Sequence, residues 1–168
     1  MGYFPLCMDL HNRLILLIGD GKQIQEKAEK LRPFGGILRQ MDTLTEADLT
    51  DEVVFVVIGD TPRSTAEQYS RLCKTHRFPV NVVDMPDLCS FCLPALISRG
   101  SLTISISTGG TVPAAGAVIK ERISELLPEN TDEILTTLQH LRQELYRRYP
   151  KETARQMLRT AIEEAFFQ

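Results

Sequence analysis

No apolar run in this chain approaches the roughly 20 residues needed to cross a bilayer, and the amino terminus lacks the basic region and apolar core of a secretory leader. The chain is expected to work in the cytoplasm, without a membrane. Cysteine is scarce: four residues, at positions 7, 73, 89 and 92, make no disulfide framework at this size. Cys89-Ser90-Phe91-Cys92 has CxxC spacing but no second pair. In a strand-like run its two thiols would point to opposite faces, as buried thiols of a core strand. His11, His76 and His140 are scattered without ligand spacing, so no metal site is predicted. Positive charge is also short. With 19 Lys and Arg against 22 Asp and Glu, the net charge of −3 argues against nucleic acid as the main partner. Any polyanionic ligand then needs a local basic patch. Low-complexity segments and internal repeats are missing.

What is present is an ordinary globular composition, 43% hydrophobic and 24% charged. The 168 residues suffice for one cored domain, or one with a smaller appendage. Leu14 to Ile18 (LILLI) predicts a strand buried on both faces. Gly19-Asp20-Gly21 turns the chain into a helix over 22–34, with Ile24, Ala28 and Leu31 as its apolar stripe and Gly35-Gly36 as its stop. Ile37 to Met41 predicts a second, less buried strand, and Thr43 to Asp51 a connection. Val53 to Ile58 (VVFVVI) predicts a third strand ending at Gly59-Asp60-Thr61-Pro62. A helix over 62–76 follows, with Asp60 or Thr61 as cap, Pro62 in its first turn, and Ala66, Tyr69, Leu72 and Cys73 facing the sheet. His76 suits the negative end of that helix. Val80-Asn81-Val82-Val83 is the next strand, closing on Asp84. This alternation predicts an α/β fold with a Rossmann-like, mostly parallel sheet over 1–84.

After Asp84 the pattern changes. Phe91 to Ile97 and Leu102 to Ser107 read as a strand pair joined by residues 98–101, within a region spanning 85–112. Leu93, Leu96, Leu102, Ile104 and Ile106 are more apolar surface than two strands can hide alone. A C-terminal helical region over 113–168 completes the chain. It holds helices over about 112–127 and 132–149, the latter capped by Asn130-Thr131-Asp132 and striped with Ile134, Leu135, Leu138, Leu141 and Leu145. Pro150 interrupts, and a last helix spans about 152–167. Arg142, Arg147 and Arg148 read as a solvated face.

Two places carry candidate chemistry. Strand, GxG and helix in that order begin a dinucleotide-binding unit, in which bare backbone and a helix N-terminus meet a pyrophosphate. Ile24 stands where a small residue allows close packing, and Asp20 puts negative charge in the loop, so a plain tight turn remains the alternative. Asp42 is the candidate for the acid expected about 20 residues on. Asp84, at the carboxyl mouth of a buried strand, sits where open α/β sheets place ligands. Its alternative is a turn-forming Asp ahead of Met85-Pro86.

The run from Val80 to Pro113 contains NVVD followed by Met85-Pro86, then Leu88-Cys89, Phe91, Pro94-Ala95, Gly100, Leu102-Thr103-Ile104 and Ile106-Ser107-Thr108. It resembles the core of the siroheme synthase N-terminal domain family. That family comprises NAD-dependent precorrin-2 dehydrogenases, some of which are also sirohydrochlorin ferrochelatases. Phe4-Pro5-Leu6, Asp9-Leu10 and Gly19-Asp20-Gly21 stand where the family keeps similar residues, so the likeness runs from about Tyr3 to Pro128.

The resemblance implies NAD as cofactor, precorrin-2 as a tetrapyrrole substrate oxidised to sirohydrochlorin, and Asp84 as the acid/base residue. It implies cofactor contacts at Gly19, Gly21, Lys22 and Gln23, at Thr43 and Leu44 beside the adenosine, and at Gly59 and Asp60 by the nicotinamide half. It also implies a homodimer built by exchange of the strand pair. The substrate's carboxylates need donors, and Arg99, Ser107, Thr108 and Gly109 are the candidates. Thr108 stands where some relatives carry a regulatory serine. Departures are Ala114-Ala115-Gly116-Ala117, where relatives tend to carry arginine, and Glu26-Lys27 in place of an Arg-Lys pair. Two alternatives stay open: iron or cobalt chelation through the same aspartate, and a catalytically weak tetrapyrrole-binding member with a degenerate nucleotide loop. At this length, the methyltransferase domain fused to some members is not expected in the chain.

Overall fold

The computed structural model describes residues 3–167. Among them the chain forms two compact units, the first ending at Leu93 and the second beginning at Pro94. In the first, β1 (Leu14–Ile18), β2 (Ile37–Met41), β3 (Val53–Ile58) and β4 (Val80–Val82) form one parallel sheet in the order β2-β1-β3-β4. The chain leaves β1 for β2 on one side and then returns to β3 on the other. The carboxyl ends of β1 and β3 therefore flank the point where connections diverge, the place where such sheets bind ligands.

Strand alternation explains the core. Leu14, Leu16 and Ile18 of β1 join Val56 and Ile58 on one face, and Ile15 and Leu17 join Phe55 and Val57 on the other. The first face is covered by Ala66 and Cys73 of α2 (Arg63–Thr75), the second by Ile24, Ala28 and Leu31 of α1 (Lys22–Leu31). Each Val, Leu, Ile or Phe among them, fully withdrawn from water, stabilises the fold by about 1.5–3 kcal/mol. The predicted first helix stops being α-helical at Leu31. Pro33 brings a 3-10 turn over Arg32–Phe34, and Gly35 closes it at φ 74°.

The strand expected from Phe91 to Ile97 begins only at Ala95, and residues 89–91 have another role. They are used to seal the open edge of β4: Ser90 N–H donates to Val80 O (2.8 Å), Val80 N–H to Ser90 Oγ (2.8 Å) and Asn81 Nδ2 to Phe91 O (3.1 Å). Cys89 Sγ accepts from Val82 N–H at 3.1 Å, and burial pushes its pKa up. This thiol is an edge clasp rather than half of a strand-borne pair. The physical reason is that β4 has no neighbour on that side, and its backbone groups must be satisfied by something.

The second unit pairs β5 (Ala95–Arg99) antiparallel with β6 (Leu102–Ile106), followed by α3 (Pro113–Leu126), α4 (Thr131–Arg148) and α5 (Lys151–Phe167). Gly100, at φ 57°, makes the hairpin turn, and Ser101 N–H donates to Asp132 Oδ1 at 3.0 Å. Helix α3 packs on both strands, and α4 packs on α5 across the Tyr149-Pro150 break. The predicted polar cap of α4 does not form: Asn130 holds the cap position without a side-chain bond, and Thr131 is buried with its Oγ1 donating to Pro128 O. No helix among the described residues is long and apolar enough to cross a membrane.

Candidate functional site

Loops leave the carboxyl ends of β1, β3 and β4; those after β3 and β4, with Gln23 from the first turn of α1, line a crevice of about 440 Å³, with Gly59, Asp60, Thr61, Asp84 and Met85 on its walls. The first two loops touch at glycines. Gly19 lies at φ 116°, and a Cβ there would stand 2.2 Å from Gly59 O, so neither loop could close this way with a side chain at 19. Gly59 N–H donates to Ile18 O (3.0 Å) and Gly19 N–H to Met41 O (2.9 Å), which extends the sheet's bonding into the loops.

Asp84 emerges just beyond β4 with φ 60° and an exposed side chain. Its Oδ2 accepts from Gln23 Nε2 at 2.6 Å, while Gln23 Oε1 accepts from Asp60 N–H at 3.1 Å. One amide thus joins the loop after β3 to the carboxylate after β4, and the two bonds together fix which way the amide points. Lys27, one turn further along α1, feels Asp84 as well. Burial and then Lys30 hold the Lys27 pKa below its usual value, and the Asp84 charge works against that fall. Outside the crevice lining, at the start of α2, Arg63 pairs with Asp87, which lowers the carboxyl's pKa and raises the guanidinium's.

Asp60 departs from its expected structural alternative. Neither it nor Thr61 caps α2, whose cap position is held by Pro62 and whose first residue is Arg63. Thr61 Oγ1 donates to Gly59 O instead (2.8 Å). Asp60, left-handed at φ 51°, sends its carboxylate to the other helix: Ile24 N–H, in the first turn of α1, donates to Asp60 Oδ2 at 3.2 Å. The same carboxylate lies over Gly21, where a Cβ would fall 2.3 Å from Asp60 Cγ.

Gly19, Gly21, Gln23, Gly59, Asp60 and Asp84 are therefore brought together. Lys22 is exposed and pairs with Glu26 at 3.8 Å. Thr43 is exposed beyond β2, whereas the Leu44 side chain is part of the core, leaving only its backbone to line a site. Arg99, Ser107, Thr108 and Gly109 belong to the second unit. There Arg99 is no free donor. Its Nη1 and Nη2 bond Leu127 O, Pro128 O and Ser124 O, so it caps the carboxyl end of α3, where unsatisfied carbonyls attract a cation. Ser107 Oγ accepts from Gly109 N–H at 3.2 Å, and Thr108 O accepts from Thr111 Oγ1 at 2.7 Å, in a turn leading into α3. Sequence reasoning missed the Gln23–Asp84 bond and the Arg63–Asp87 pair. Only the hydrogen-bonding capacity of these side chains hinted at either.

A parallel sheet whose glycine loops open on a crevice at the strand ends, with an appended strand pair and helices, defines a Rossmann-like α/β protein. Residues 36–95 match a family model described as "Putative NAD(P)-binding". The siroheme synthase of Azotobacter vinelandii is 29% identical over 171 residues, covering 89% of this chain and 37% of that protein. The siroheme synthase of Thioalkalivibrio sulfidiphilus is 30% identical over 149 residues, covering 76% of this chain and 30% of that protein. Among solved structures, "SirC, precorrin-2 dehydrogenase" superposes with a TM-score of 0.71 at 21% identity, covering 98% of this chain and 92% of that one, a likeness of fold. The chain belongs to the siroheme synthase N-terminal domain family. It spans about a third of the length of the curated relatives it matches.

Proposed function

We propose that this chain is a dehydrogenase domain of siroheme biosynthesis that oxidises precorrin-2 to sirohydrochlorin with NAD, using Asp84 as general base. The observation that carries this is an exposed carboxylate at the carboxyl end of β4, tethered by Gln23 on the wall of a crevice beside the β1 and β3 glycine loops. The residues present fit a dinucleotide in outline: Gly19, Gly21 and Gly59 offer bare backbone, and α1 offers its N-terminus. A nicotinamide dinucleotide supplies the hydride acceptor. The chain's part is to hold the macrocycle and take the proton that the oxidation releases alongside the hydride. Asp84 Oδ2 is held by Gln23, which leaves Oδ1 to accept that proton. Asp42, exposed beyond β2, disfavours a 2′-phosphate and so favours NAD over NADP.

The precorrin-2 carboxylates are assigned to backbone and hydroxyl donors of the loop at Ser107, Thr108 and Gly109, with a homodimer as the working form. The exposed apolar face of α3 supports a second copy. Following absorbance after mixing precorrin-2 with NAD+ tests the whole reading. Sirohydrochlorin and NADH should appear in equal amounts, and no turnover at saturating NAD+ would overturn it. A second reading, a weakly active tetrapyrrole-binding protein, is favoured by the Asp60 carboxylate at the head of α1. It predicts tetrapyrrole binding with no detectable NADH.

A further inference from the structure

The glycine cradle at the head of α1 is filled by the chain's own carboxylate. Gly21 takes the cap position without any side-chain bond of its own, and α1 presents its first-turn N–H groups there. Asp60 Oδ2 accepts from Ile24 N–H at 3.2 Å. The rest of the carboxylate sits over Gly21, where an added Cβ would lie 2.5 Å from Oδ1 and 2.7 Å from Oδ2. The missing side chain at 21 that would admit a phosphate close to the backbone here admits Asp60. The contact is also held from behind: Asp60 N–H donates to Gln23 Oε1, and the left-handed backbone at φ 51° sets the direction of the side chain. An anion of the protein and an anion of the ligand cannot share this space, since both want the same N–H groups and repel each other.

Resting on the dinucleotide reading, we infer that Asp60 is the residue that sets nucleotide affinity, acting as a built-in competitor for the pyrophosphate. Dinucleotide binds when the Asp60 carboxylate leaves Gly21 and Ile24. The Asp60 N–H bond to Gln23 Oε1 belongs to the backbone, and the departure of the side chain leaves it in place. Asp60 thus sets affinity without touching the reacting atoms.

The test is titration calorimetry of NAD+ into the full chain, beside Asp60→Asn and Asp60→Gly. Both replacements tolerate a left-handed backbone, so neither adds the strain that alanine would bring. Asp60→Gly should tighten NAD+ about tenfold (~1.4 kcal/mol) while lowering Tm, because α1 loses its cap. Asp60→Asn, which keeps the shape and drops the charge, should fall between. Opposite movement of affinity and Tm marks competition, since a merely structural role lowers both. Equal or weaker NAD+ binding in Asp60→Gly, with wild type binding measurably, overturns the competitor and leaves the dehydrogenase reading standing. No binding by any of the three proteins at millimolar NAD+ overturns both.

Discussion

Asp84 combines charge, exposure and a left-handed backbone in one residue, and its replacement must respect all three. Asn keeps the backbone preference and the size, and removes only the ionisable group. Asp84→Asn should therefore lower kcat by about 10²- to 10⁴-fold with NAD+ affinity unchanged, read by steady-state turnover beside calorimetry. Cys73 gives a prediction of another kind. Burial in the α2–sheet core pushes its thiol from 9.0 up to about 11. In the unfolded chain the thiol ionises near 9.0, while in the fold it stays protonated, so its contribution is whole below pH 9.0 and lost between 9.0 and about 11. The urea midpoint should fall across that window, and Cys73→Ala should flatten the fall. An identical pH slope in the variant would contradict the assignment.

At the scale of elements, the loop after β1 and the cap of α3 are the sensitive points. Gly19→Ala meets both a φ of 116° and Gly59 O at 2.2 Å, and should cost about 2–4 kcal/mol by denaturant titration. Arg99→Met removes the donors that satisfy the last turn of α3 and should cost about 2 kcal/mol, with the loss read in thermal melts. These two elements also mark what the chain discloses in advance. LILLI, VVFVVI and the stripe Ile24, Ala28, Leu31 were legible because burial on a periodic backbone leaves a periodic pattern. The position of Asp84 at a strand mouth was legible for the same reason. The path of residues 89–91 along β4, the turn of Asp60 towards α1 and the capping by Arg99 were not. Each is a bond between groups far apart in sequence, chosen among many chemically equal partners, and no spacing encodes it. The Gln23–Asp84 bond, spanning 61 positions, belongs with them.

At the scale of the whole molecule, several large apolar side chains stay exposed among the described residues, and α3 carries a group of them. On α3, Val118 is 57% and Leu126 75% exposed, and Val112 and Ile119 add to the same helix region. A second copy of the chain is the occupant assigned above. Sedimentation velocity should give a dimer at micromolar concentration, and Val118→Glu with Leu126→Glu should shift it to monomer with little change in secondary structure. A monomer in the wild-type chain would remove the homodimer from the proposed function without touching the crevice, whose walls all come from the first unit.

The torsion at Asp84 would sort a saturation library at that codon through two unlike filters. A screen for soluble expression alone should return Asn and Gly beside Asp, the residues at ease at φ 60°. A growth selection that depends on the tetrapyrrole product should return Asp alone. The gap between the two lists would measure, codon by codon, how much of that sheet mouth is kept for shape and how much for chemistry.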